Sequence, residues 1–175
     1  MQLCRSTKRP SSGQGGGNVE DRALIQQQLA VSHQIVKQCL GDITEGEAGR
    51  VQAAILTPVV WQIGHLALTN TNFIQRAGAT SGVTLPARYP ELFKTGTGGP
   101  ANYPPLSEVV KAFDDTHAAL MRTVAETKLE TPAEGPRGLW KNYSEMFSFA
   151  NTHRWYHIGK INSLRALLGK PRLFG

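Results

Sequence analysis

The stretch NYSEMFSFANTHRWYHIGKINSLRALLG, residues 142–169, decides how the rest of the chain is read. Met146, Ala150, His153, His157, Ile161, Leu164 and Leu168 recur at intervals of three, four and seven residues, so they share one face of a helix over roughly 142–168. Gly169 then stops it, and Pro171 keeps it from resuming. Two histidines lie within this core-facing stripe, four residues apart. That spacing stacks their imidazoles one turn apart, with Cβ atoms about 5–6 Å from each other. Two ring nitrogens can then meet one metal ion at about 2.0–2.1 Å. Imidazoles are costly on a buried face unless their nitrogens find partners, and a metal ion supplies one.

Working outward, three more helical stretches appear. Residues 106–127 carry Leu106, Val109, Val110, Phe113, His117, Leu120, Met121 and Val124 in a clean amphipathic pattern. A second helix is predicted from Thr57-Pro58 to Ala77, with Thr57 as cap, Pro58 at the first helical position and Gly78 as the stop. It is apolar on opposite sides, with Ile63, Leu66 and Phe73 on one and Trp61, His65 and Leu68 on the other, so it belongs inside a bundle. The first helix, 19–40, presents Ile25, Leu29, Ser32, Val36 and Leu40 and ends at Gly41. No strand alternation stands out. The fold class is therefore all-α: a four-helix bundle over 18–175, with an up-and-down course. The Gly- and Pro-rich connection 79–105 is long enough to form a lid or to permit a crossover instead. Residues 1–17, rich in Gly, Ser and basic residues, read as a disordered tail.

His65, in the middle of a two-sided apolar helix, is a natural third partner for His153 and His157. HRWYH has Arg154 where zinc peptidases of the HExxH kind carry their glutamate base, which disfavours that chemistry. His117 is expected to be a hydrogen-bonded core or edge histidine rather than a ligand, and His33 to be half exposed.

The formal charge of +6 is unevenly distributed: +3 over residues 1–17, −3 over 18–136 and +6 over 137–175. The basic C-terminal part reads as a solvated helix face. Arg154, Lys160, Arg165, Lys170 and Arg172 do not share one face, so nucleic-acid binding is disfavoured. The apolar runs are too short for a membrane span. Cys4 and Cys39 have no CxxC spacing, which suits a reducing cytoplasm better than a disulfide framework.

The strings WQIGHLALTNTNF and HRWYHIGKINSLRALLGKPRLFG resemble the DinB-like family of small metal-binding bundles, which is distinct from the polymerase sharing that name. Gly64, His65 and Leu66 match its early motif, a GHL or GHI in the second helix. His153, His157, Gly159 and Ile161 match the late H-x-x-x-H-x-G-Q-I. Leu164, Arg165, Leu168, Gly169 and Pro171 match the tail. Lys160 stands where the family usually has Gln: it either sends its ammonium out to solvent, the reading favoured here, or places a cation beside the site, where it weakens metal affinity slightly or supplies an anion-binding group.

The resemblance implies a three-histidine site (His65, His153, His157) with open coordination, often in a homodimer. The site would hold zinc or nickel, or else manganese or iron, and work with a low-molecular-weight thiol. The expected function is a metal-dependent enzyme of thiol S-transferase or hydrolase type, with the ion's water or thiolate as the reactive group. Arg88, Tyr89, Asn102, Tyr103 and Lys160 are the expected contacts to a small-molecule substrate. The alternative is a non-catalytic metal-binding or stress-response module.

Overall fold

A computed structural model describes residues 17–51 and 56–175; the tail expected over 1–17 falls almost wholly outside them. The elements are α1 (Gly17–Leu40), α2 (Glu45–Ala48), α3 (Val59–Arg76), α4 (Tyr89–Phe93), α5 (Leu106–Glu126), a 3₁₀ turn (Pro136–Gly138) and α6 (Tyr143–Leu167). The four long helices are those read from periodicity. Among the described residues no helix is long and apolar enough to cross a membrane.

Around the bundle, α1 packs on α5 and α6, and α3 packs on the same two helices, so α1 and α3 lie across one diagonal. The direction of each helix follows from which residues meet. One apolar cluster joins Val36 and Leu40 of α1, Val59 to Ala67 of α3, Leu106 to Phe113 of α5, and Ile158 to Leu164 of α6. The other joins Ile25 and Leu29, Phe73 and Ile74, Leu120 and Val124, and Met146 to Ala150. Thus α1 and α6 run one way, and α3 and α5 run the other. The course is up, down, down, up rather than the simple alternation expected. Because α3 and α5 are parallel, the chain must return along the whole bundle between them. The 79–105 segment makes that return: Val83 packs at one end of the bundle and Phe93 at the other. Its length is thereby explained as a crossover.

Helix ends follow local chemistry. The Asn142 side chain accepts from the Glu145 amide at 2.9 Å, capping α6. The N-terminus of α5 has Pro105 at its cap position, which offers no side-chain acceptor. A carboxylate from elsewhere in the chain takes over, as Glu45 of α2 accepts from the amides of Leu106 at 2.5 Å and Ser107 at 3.2 Å. Those bonds hold the Glu45 carboxyl below its usual range. At α3 the expected cap shifts by one residue. Pro58 itself holds the cap position, and Thr57 turns its oxygens toward the Gln62 side chain. Gly78 ends α3 with φ 74°, as a left-handed stop requires.

The basic C-terminal part is only partly a solvated face. Arg165 is buried: its guanidinium donates to the Cys39 carbonyl at 2.7 Å and to the Pro171 carbonyl at 2.9 Å, and pairs with Asp42. It pins the end of α1 to the chain that follows α6. Arg154 is buried without a carboxylate, donating to Leu29 O at 2.7 Å and to Ser32 Oγ and Asn70 Oδ1 at 3.3 Å each. Its alkyl stem fills core volume while neutral oxygens from α1 and α3 accept from its two terminal nitrogens, leaving the buried Nε without a partner. Cys39 is a free, buried thiol.

Candidate metal centre

α3 and α6 are antiparallel neighbours, so a residue one-third of the way along α3 faces the middle of α6. His65 occupies the first position, and His153 and His157 the second. One ring nitrogen from each lies within 4.8 Å of the others, and among the described residues no carboxylate or thiol joins them. The ring centroids of His65 are 5.3 Å from His153 and 4.9 Å from His157.

The outward-facing nitrogens are set from behind. His65 Nδ1–H donates to the Phe93 carbonyl at 2.7 Å, leaving Nε2 with its lone pair free. His157 Nδ1 lies 2.5 Å from Gln62 Oε1. The amide orientation of Gln62 follows from its other end, where Nε2 donates to the Thr57 carbonyl and hydroxyl. Gln62 therefore accepts, His157 Nδ1 carries the proton, and His157 Nε2 presents a lone pair. That nitrogen lies 3.1 Å from His153 Nε2. Such partners on the remote nitrogen are what orient metal-binding imidazoles.

Burial keeps all three rings neutral. Desolvation lowers His65, brings His153 down to about 4 and brings His157 down to about 2; the neighbouring imidazoles and Lys160 add to the shift at the last two. Neutral imidazole is the form that ligates. The three-imidazole donor set, the tautomers of His65 and His157 and the neutral state of the rings thus fit a divalent ion of the borderline class.

The walls also have local causes. Trp61 stacks on His65 with ring centroids 4.7 Å apart and planes 9° apart, and its indole N–H donates to Thr97 Oγ1 at 2.9 Å. Gly64 lets the Phe93 ring lie against α3: a Cβ there would come within 2.5 Å of that ring. This close approach brings the Phe93 carbonyl to His65. The crossover segment thus touches the site through its main chain.

The expected substrate contacts are dispersed. Arg88 and Asn102 are exposed. Tyr103 is half-buried, donates to the Gly99 carbonyl at 2.7 Å and stacks on Phe93. Tyr89 is a correction: it is fully buried, its ring against Phe93 and its hydroxyl without a partner, because α4 turns that face into the core. Lys160 is half-buried, with Nζ 4.5 Å over the Tyr156 ring. Its ammonium rests on an exposed aromatic ring that abuts His157.

His117 is not part of the cluster. It stacks on His33 at 4.0 Å, with Nδ1 buried and lacking the hydrogen bond expected of it. His33 bonds Asp114 at 2.8 Å. Gln62 and Phe93 were not singled out from the sequence. Gln62 left one signal, a polar residue one turn before His65 on a helix buried on both sides. A main-chain carbonyl leaves none.

No curated protein matches the chain. A family model, the DinB superfamily, matches residues 22–161, a span that contains α3, α5 and the whole histidine cluster. An all-α bundle with three histidines gathered between its second and fourth long helices accords with that match, and the chain belongs to the DinB superfamily.

Proposed function

We propose that this protein is a divalent-metal-dependent enzyme of thiol S-transferase or hydrolase type. In this reading His65, His153 and His157 hold the ion, zinc or nickel in preference to manganese or iron, and a low-molecular-weight thiol is the co-substrate. One observation carries it: three neutral imidazoles converge within 4.8 Å with no fourth protein donor beside them among the described residues. Closed structural sites use four protein ligands, whereas reactive ones keep a position open. The chemistry an ion supplies there is Lewis acidity, which makes a bound water or thiol acidic near neutral pH.

The chain's own residues have separate tasks in this reading. Gln62 and the Phe93 carbonyl hold protons on the remote nitrogens of His157 and His65, so the near nitrogens stay available. Trp61 covers one side of His65 and keeps water off that face. Arg88, Asn102 and Tyr103 of the crossover segment, with Lys160, are the groups offered to a small-molecule substrate.

Elemental analysis of the purified protein, with turnover assays using thiols and electrophilic acceptors, tests this directly. Wild type is expected to hold about one ion per chain and turn over. Equal metal content and equal rates for His157→Ala would remove the proposal. A second reading, a non-catalytic metal module, rests on the way the cluster bridges α3 and α6. It predicts a large fall in melting temperature on chelation and no turnover.

A further inference from the structure

The residues around the cluster are one-sided in charge. No Asp or Glu joins the three histidines among the described residues. The charged side chains that bear on the rings, Lys160 and Arg154, are both cationic. Arg154 points away, into its bonds with Leu29, Ser32 and Asn70. Lys160 differs. With His153 and His157 it forms an i, i+4, i+7 series, so all three project from one face of α6. Side chains on a helix lean toward its N-terminus, and this one lies back over Tyr156, with Nζ 4.5 Å from the ring. The Tyr156 ring is itself 5.2 Å from His157. A cation–π contact therefore holds the ammonium on the ring that abuts His157. None of the ion pairs among the described residues includes Lys160.

We propose that Lys160 selects an anionic ligand at this centre, a small molecule that presents a thiolate or carboxylate beside the three imidazoles and pairs that charge with the ammonium. The inference rests on the metal-binding reading above. A divalent ion among three neutral ligands leaves its full charge uncompensated, and a neighbouring ammonium raises the preference for an anion further. With Gln at this position the site would offer a hydrogen bond without the charge. Lys160 is thus a specificity-determining residue of this chain.

Cobalt(II)-loaded protein provides the test, because its visible absorption reports ligand exchange at the ion without requiring turnover. Wild type, K160Q, K160M and K160R are titrated with acetate, with 2-mercaptoethanol and, as neutral control, with imidazole. K160Q and K160M are expected to bind acetate and thiolate roughly tenfold more weakly than wild type, with imidazole affinity changed by less than about twofold and K160R close to wild type. Loss with acetate alone identifies a carboxylate ligand, and loss with the thiol alone a thiolate. Equal anion affinity in wild type and both neutral variants overturns the inference and leaves metal binding standing, as does an equal loss for imidazole. Absence of the cobalt spectrum in wild type overturns metal binding and this inference with it.

Discussion

Gln62 and Phe93 reach two of the three clustered imidazoles from behind, and the bonds they make fix the tautomers of His157 and His65. Gln62→Ala removes the acceptor on His157 Nδ1 and frees the tautomer. It is expected to weaken metal affinity by about 10–100-fold, measured by competition with a chromophoric chelator; unchanged affinity would dismiss its orienting role. Gly64 raises a contest between two effects. Alanine would raise helix propensity by up to about 1 kcal/mol, but its Cβ would come within 2.6 Å of three Phe93 ring atoms. Overpacking of that kind typically costs about 1–3 kcal/mol, and the aromatic ring, fully buried, has nowhere to retreat. Gly64→Ala is expected to be destabilising in urea unfolding and to weaken metal binding by displacing the Phe93 carbonyl. A stabilised variant would show that the ring relaxes freely.

At the scale of elements, α6 depends on how it starts. Its first turn is closed by Asn142, and the Glu145 carboxylate reaches back to the Lys141 amide at 2.7 Å. Asn142→Ala is expected to cost about 1 kcal/mol in thermal or denaturant unfolding, while Asn142→Asp retains the acceptor and stays near wild type. Because His153 and His157, the two proposed ligands on this helix, sit well beyond its first turn, the cap should affect stability far more than metal affinity. Similar loss in both would mean that α6 frays as far as His153. The α4 segment contributes differently: five residues of helix within the crossover bury Tyr89 and Phe93 and so anchor the wall of the site.

For the whole molecule, buried histidines make stability depend on pH. Desolvation brings His117 down to about 3, with Arg154 and His33 adding to it, and lowers His33 despite its bond to Asp114; the three site histidines are lowered too. Each folded value lies below the unfolded value near 6.5. Below that pH the unfolded chain takes up protons that the folded chain refuses, so stability present above pH 6.5 is lost on acidification, until the folded groups titrate near 2–4. The limit is about 1.4 kcal/mol per pH unit for each such histidine. The urea midpoint of metal-free protein is expected to fall steeply between pH 6.5 and 4.5; a flat profile would mean the rings are hydrated. Metal should oppose this at neutral pH: at 100 times the dissociation constant it adds about 2.7 kcal/mol, and EDTA removes it.

The sequence by itself determined the four long helices and the three histidines that meet. Both are written in local periodicity: the stripes of α1, α3, α5 and α6 follow from 3.6 residues per turn, and 153/157 is one helical turn. The two-sided apolarity of α3 also placed His65 indoors. What only the tertiary structure decided were quantities that depend on which elements touch. The parallel course of α3 and α5 was not legible, because periodicity names a buried face and not the direction of its neighbour. Arg154 reads as a surface charge until oxygens from α1 and α3 close around it. Tyr89 reads as a loop residue until α4 turns it inward. The tautomers of His65 and His157 depend on a carbonyl 28 residues away and on an amide 95 residues away. Such partners are selected by packing, and no local pattern encodes them.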